Sequence, residues 1–414
     1  MRFRIVALTI CAAAAVFPLS GRAQQAQPVT FFGEVRARGE WDNPGAGVDD
    51  DAYTYLRTRL GLRATAADNV RLVFQLQDSR VYGAPAATSI TDLHQAYVDL
   101  GSSWRGKAFT TRVGRQEIAL GNERLVGPVG WSNTGRTFDG VRVLVTRENG
   151  NAWTATMFAA TVEERGRHFG TGTGTDVEDR TVVGAWMSRP AFDGTVEATA
   201  LYDGAAAYRA YADSRRYTLD ARYRSRAEAS FAVDVEAAWQ GGSQDVGANA
   251  SAQDVRAWLV GARAGRLPAA GRRSSALFGV DVLSGDASPA DGDYRAFSTM
   301  YATNHPFYGI ADLFLDPAGR TNEAGLVDAF GSASRAIGTR TSVRADLHRF
   351  ATQAGSAGEI GWELDVVAPV RLSTAASLEF GYTAFRAGGA AAAFALGADG
   401  DVRHWSYIQL RAAF

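Results

Sequence analysis

Lysine is all but missing from this chain: Lys107 stands alone beside 42 arginines. Composition leaves two readings of that open. One is a GC-rich coding sequence; the other is a use for guanidinium forks, which grip carboxylates and phosphates bidentately as an ammonium cannot. Cysteine is as scarce, with Cys11 the only one, so neither an internal disulfide nor a thiolate metal site can form. The five histidines (94, 168, 305, 348 and 404) are isolated, with no HxxxH or HExxH spacing for zinc. A GxSxG elbow is lacking too, which removes the usual nucleophile of a hydrolase. Beyond the first 25 residues no apolar run reaches the roughly 18 residues of a membrane-crossing helix. Charge is nearly balanced, at −1 overall, and gives nucleic acid no electrostatic foothold.

The N-terminus is the one apolar stretch. In MRFRIVALTICAAAAVFPLSGRA, Arg2 and Arg4 precede an apolar core from Ile5 to Leu19 and a small-residue segment ending at Ala23. That order is expected of a secretory signal peptide cleaved after Ala23; a membrane anchor would need a longer run. The Leu8-Thr9-Ile10 preceding Cys11 makes a poor lipidation site. Residues 24–414 are then expected to form a single domain with 40 basic and 44 acidic residues and no cysteine.

What fills that domain is period-two alternation. Strand-like runs fall at 29–41, 53–65, 70–80, 91–100, 107–116, 137–146, 151–162, 178–189, 195–203, 214–225, 228–240, 253–266, 272–284, 326–335, 339–350, 358–367, 374–386 and 403–414. Eighteen is an even number, and their usual length of about 10–13 residues suits tilted strands crossing a bilayer. Every second link is short, such as 66–68 and 147–150, while the others are longer and rich in Gly, Asp and Ser, such as 117–136 and 285–325. The expected fold is all-β: a transmembrane antiparallel β-barrel of about 18 strands, with a periplasmic N-terminus and long extracellular loops. The last run, HWSYIQLRAAF, puts Ile408, Leu410, Ala412 and Phe414 on one face, like the C-terminal signature of bacterial outer-membrane proteins.

Lipid takes the apolar face of each strand, so the polar face defines the lumen; a charge on the lipid face near the midplane costs about 2–4 kcal/mol. By this rule Glu34, Arg36, Arg38 and Glu40 face inward, as do Arg57, Arg59, Arg63, Arg112, Arg142, Arg216, Asp220 and Arg222. Glu363 and Asp365 face inward against Ile360, Trp362 and Leu364 outside. Asp78, Arg80, Arg115 and Glu117 break the parity of their strands, and are expected above the bilayer or turned inward by bulges. Aromatics at strand ends, Trp41, Trp104, Trp153, Trp239 and Trp405 among them, suit a girdle, with sugar stacking as the alternative. FGTGTGTD has no following helix and no Lys-Ser/Thr, so it is expected to be a loop. Asp286, Asp291 and Asp293 share a loop without EF-hand spacing, and a solvated acidic loop is expected in preference to calcium.

The stretch Arg112–Arg142 joins two half-apolar strands through a charged, glycine-punctuated excursion, the pattern of a loop leaning into a bore. Together with LRTRLGL, FQLQDSR and LHQAYVDL upstream, this order of motifs resembles the alginate export family of outer-membrane barrels. The resemblance is strongest over 53–145 and returns in FSTMYATNHPFYGIADLF at 297–314, an unusually aromatic segment expected to narrow the mouth. An arginine-lined bore favours anions. The resemblance sharpens this to an anionic, uronate-type poly- or oligosaccharide, moving passively without a cofactor and without catalysis. It implies a substrate path past Arg57, Arg59, Arg63, Arg80, Arg112, Arg115, Arg124, Arg136 and Arg142, with Asp78, Glu117 and Asp139 opposing them to prevent a trap. Outer-membrane lipid and periplasmic export components are the other expected partners. A small-anion diffusion porin is the competing channel; a receptor or adhesin barrel and an outer-membrane hydrolase are the readings from other classes.

Overall fold

The computed structural model describes residues 29–414 apart from 46–48, 84–88, 148–151, 164–179, 206–213, 227, 230, 246–251, 268–270, 289 and 356–357. The N-terminal segment read as a signal peptide and the FGTGTGTD glycines therefore lie outside the described residues.

The chain folds as one sheet closed on itself. Its first half comprises β1 (Thr30–Asn43), β2 (Asp51–Ala67), β3 (Val70–Tyr82), β4 (Ser89–Trp104), β5 (Lys107–Gln116), β6 (Phe138–Arg147), β7 (Trp153–Glu163), β8 (Arg180–Ala191) and β9 (Gly194–Ala205). There follow β10 (Ser214–Ser225), β11 (Ala232–Asp245), β12 (Ala252–Arg266), β13 (Ser274–Leu283) and the two-residue β14 (Asp293–Tyr294). The last are β15 (Leu326–Ala336), β16 (Ser342–Ala351), β17 (Glu359–Arg371), β18 (Ala376–Ala387) and β19 (Val402–Ala413). Successive long strands pair antiparallel, β13 with β15 included, and β1 pairs with β19 from Glu34↔Ala413 to Asn43↔His404. β14 belongs to a loop and runs parallel to β12. Eighteen strands thus make a closed antiparallel barrel, and each of the eighteen alternating runs became one of them. Links such as 68–69 and 192–193 mark one rim, here the turn end; 117–137 and 284–325 mark the other, the loop end.

Alternation orders the wall because oil and water select opposite faces of each strand. Phe31, Val35, Leu60, Leu76, Val113, Leu219 and Phe278 are exposed outside, while Glu34, Arg36, Arg57, Arg216, Glu236 and Asp365 are buried inside. Four charges placed on the expected substrate path stand outside the lumen. Asp78 and Arg80 stand on the outward face of β3 with Leu76, paired at 2.7 Å, while Gln77 and Ser79 take the inner face. Arg115 and Asp139 likewise share the outward face with Val113 and Val141, joined bidentately at 2.7 and 2.8 Å. No bulge turns them in, and pairing next to the loop end is what makes these outward charges tolerable. Two other departures run the opposite way. Ile360 is fully buried, because Gly361 adopts φ +156° beside a register shift and swings it inward. Trp405 is buried in the lumen against Tyr407 and Trp131, so it is no girdle residue.

The apolar core lies inside the barrel, at the loop end. Ile118, Leu125 and Val126 from one loop and Phe297, Phe307 and Phe314 from another pack on inward wall residues such as Phe158, Leu259, Phe350 and Phe385.

Candidate substrate path

Two loops fold into the bore and bind each other. Residues 117–137 and 284–325 meet through a parallel bridge, Val126↔Tyr301, flanked by Gly127 N–H to Tyr301 O at 2.8 Å and Tyr301 N–H to Leu125 O at 3.0 Å. Arg136 closes the joint by donating to the carbonyls of Gly127, Tyr301 and Ala302. Burial holds the Arg136 guanidinium below its ordinary pKa, and the nearby Arg180 adds to that.

Several of the arginines expected to line the path instead hold these loops, together with two further inward ones, Arg36 and Arg38. Arg57 donates to Glu34 at 2.6 Å and, from Nη1, to the carbonyls of Gly130 and Ser132 at 3.0 and 2.8 Å. Arg36 reaches the same two carbonyls, each at 2.9 Å. Arg38 donates to Glu40 and to Trp131 O, and its guanidinium lies 3.7 Å from the Trp131 ring centre. Arg59 donates to Gln77 and to Glu117, which also accepts from His94 Nε2 at 2.7 Å. For Glu117, burial pushes the pKa up, but the His94 bond and the Arg59 charge outweigh it and leave the carboxylate below its usual range.

Arg124 is the tightest anchor. At 2 % exposure it pairs with Asp281 and Glu236, each at 3.0 Å, donates to the Tyr308 hydroxyl and stacks 4.2 Å from Phe307. Burial works against its charge, yet Asp281, Tyr308 and Glu236 together raise its pKa, so it stays cationic. Four expected substrate arginines, 57, 59, 124 and 136, are therefore loop anchors. Most of their donors are already engaged, although Nη2 of Arg59 is buried without an acceptor.

The second loop is fixed from the other side. Ile310 N–H donates to Asp365 at 3.2 Å and Ala311 N–H to Glu363 at 3.0 Å. Gly309, at φ +80°, lies so close to the Glu363 carboxylate that a Cβ there would collide with it. Arg295 spans Asp286, Asp291 and Asp293, so the three carboxylates weighed for calcium share one guanidinium.

Below the loops, toward the turn end, the wall carries charge that the loops barely engage. Arg71, Asp99, Arg112 and Arg142 sit in one cross-strand row over β3–β6, through the register pairs Arg71↔Asp99, Asp99↔Arg112 and Arg112↔Arg142. Arg112 grips Asp99 bidentately at 2.7 and 2.9 Å and lies 3.6 Å from the Tyr97 ring centre. Arg142 makes one long bond, 3.5 Å, to Glu117 O. Arg63, nearby on β2, stacks on Phe32 at 5.0 Å. Among the described residues no carboxylate pairs with Arg63, Arg71 or Arg142. Arg71 was missed in the sequence, although it shares the parity of Gln75 and Gln77.

A closed barrel, oily outside and charged inside, with loops folded into its mouth, defines an outer-membrane channel of the porin type in a Gram-negative envelope. The chain belongs to the alginate export family, whose model, described as "Alginate export", matches residues 27–395. Solved structures agree in fold. OpdQ of Pseudomonas aeruginosa superposes with a TM-score of 0.59 at 10% identity, covering 94% of this chain and 99% of that one. OccD3 (OpdP) of the same organism gives 0.58 at 12%, covering 94% and 93%. OccAB4 of Acinetobacter baumannii gives 0.57 at 8%, covering 95% and 100%. At these identities the likeness speaks for the fold alone. No curated protein matches the sequence.

Proposed function

We propose that the chain is a passive outer-membrane conduit for anionic, uronate-type oligosaccharides, with its loop end outside the cell and its turn end facing the periplasm. The observation that carries this reading is the row Arg71–Asp99–Arg112–Arg142, which places three guanidiniums and one carboxylate at one level of the wall. Guanidinium forks match carboxylates bidentately, and a partly compensated row lets a passing carboxylate exchange partners without being trapped. Family membership supports the saccharide class. Arg63 extends the basic surface toward the turn end. Movement follows the gradient, and the reading requires neither a cofactor nor turnover.

The interlocked loops favour short chains over a long polymer, since the loop-end core fills part of the bore. That same packing supports the second reading, a diffusion porin for small anions. Single channels in planar bilayers separate the two. A uronate trimer is expected to block wild-type current, and Arg71→Gln/Arg142→Gln to weaken that block on the order of ten- to a hundredfold, the worth of one or two charge-assisted bonds. Block by acetate at equal carboxylate concentration supports the small-anion porin; no conductance at all sinks both.

A further inference from the structure

We infer a second anion subsite, for one carboxylate-bearing sugar unit, just inside the turn end on the wall opposite in chain order to the arginine row. It is a recess of about 570 Å³ lined by the inward residues that close β15–β19 and by the turns 337–341 and 372–375. Arg340, Arg371 and Arg411 line it, together with six serine and threonine residues, and its lining contains no carboxylate. This site rests on the channel reading for its ligand class, but its residues are distinct from those of the row.

The recess is held in shape by backbone bonds, so the charges are presented without reorganisation. Arg371 N–H donates to Arg340 O at 2.8 Å, Thr341 bridges Val370, and Arg371 Nη2 donates to Thr339 O at 2.7 Å. Arg340 is exposed and its side chain has no acceptor among the described residues. Arg411 engages Glu34 through Nε at 2.6 Å while its side chain remains 57% exposed, which leaves its Nη edge open. The wall carboxylates above are engaged as well: Glu34 accepts from Arg57 and Arg411, and Glu379 accepts from the Tyr407 hydroxyl. A carboxylate entering the recess therefore meets Arg340 and Arg371, which pair with no carboxylate among the described residues, beside the open edge of the Glu34-paired Arg411. Thr341, Ser342 and Ser377 supply hydroxyls at the spacing of neighbouring strands, suited to the hydroxyls of a sugar ring. Lying at the mouth, the subsite would load a uronate unit before it reaches the row.

The test reads local charge and occupancy, independently of transport. In a Cys11→Ser background, Thr341→Cys and, on the facing turn, Thr374→Cys are each reacted with a sulfonate-bearing and a trimethylammonium-bearing methanethiosulfonate. The full chain is kept in detergent micelles at low salt, with folding verified by β-sheet circular dichroism. The anionic reagent is expected to react at least tenfold faster. A uronate trimer is expected to slow it, whereas maltotriose is not, and adding Arg340→Gln and Arg411→Gln should abolish both effects. Equal rates for the two reagents at both positions overturn the subsite. Protection by acetate as strong as by the trimer at equal carboxylate concentration overturns the saccharide assignment. Failure of the uronate to block current while this protection persists would count against the conduit and leave the subsite standing.

Discussion

At the residue scale, arginine here has two jobs that are set by what its five N–H groups meet. A guanidinium facing loop carbonyls becomes a clamp, as Arg57 and Arg36 do at Gly130 and Ser132; one with free donors remains available to a solute, as Arg142 and Arg71 do. Arg124 shows the strongest case. Removing it leaves buried Glu236 to the Asn122 amide and Asp281 to the longer 3.3 Å contact of Arg263, so Arg124→Met should lose about 3–5 kcal/mol of stability, read as a lower urea midpoint for the micelle-solubilised barrel. A change under 1 kcal/mol would mean that the two carboxylates rearrange freely. Glu117 allows a prediction with pH. Its pKa is depressed on folding, so its contribution is complete above the ordinary carboxylate range and is lost as pH falls through the lower folded value. Amide exchange over Ile118–Leu120, corrected for intrinsic rates, should therefore rise on acidification below that range. Glu117→Gln should show the raised exchange already at neutral pH.

At the scale of elements, what could be read from the chain was what lipid enforces. A misplaced charge on the lipid face is costly, so period two survives in nearly every strand, and eighteen runs in the sequence became eighteen strands. The loop anchors were illegible for an equally physical reason. Arg57 was visible as inward-facing, but its acceptors are backbone carbonyls, which every residue carries and no side-chain pattern marks. For Asp78, Arg80 and Arg115, alternation leaves open a place above the bilayer or a bulge that turns them inward, and the substrate path claims them with Asp139; a bidentate partner on the same outer face meets the need instead. Trp405 misled because an aromatic near a strand end reads as a girdle until parity is counted through to Tyr407. The anchoring pattern makes loop 117–137 dependent on its neighbour. Deleting 285–322 removes Tyr301 and two of the three acceptors of Arg136, so it should widen the conductance and also loosen the first loop, seen as faster proteolysis after Arg124 or Arg136. A wider channel with the first loop still protected would mean that the wall arginines alone hold it.

At the scale of the whole molecule, the two halves of the bore differ in electrical character. Toward the loop end nearly every inward guanidinium is matched by a carboxylate or a carbonyl, so that half is dense in charge and weak in net field. Toward the turn end Arg63, Arg71, Arg142 and Arg340 have no carboxylate partners among the described residues, and under the proposed function the field there is positive. Solvent reaches that half, so mobile ions must screen it: the screening length is about 10 Å at 0.1 M salt and about 3 Å at 1 M. At the lower concentration the arginines act across several strands; at the higher each acts only on a solute in contact. Anion preference, measured as a reversal potential under a fixed concentration ratio, should accordingly be strong near 0.1 M and shrink toward neutrality near 1 M. Block by a uronate trimer should persist better than selectivity does, because bidentate contacts are made at bonding distance and lose less to screening. A preference that does not change with salt would place selection at a narrow contact between the loops, and a preference for cations would mean that the acidic wall of Asp328, Asp346, Glu363 and Asp365 governs the path instead.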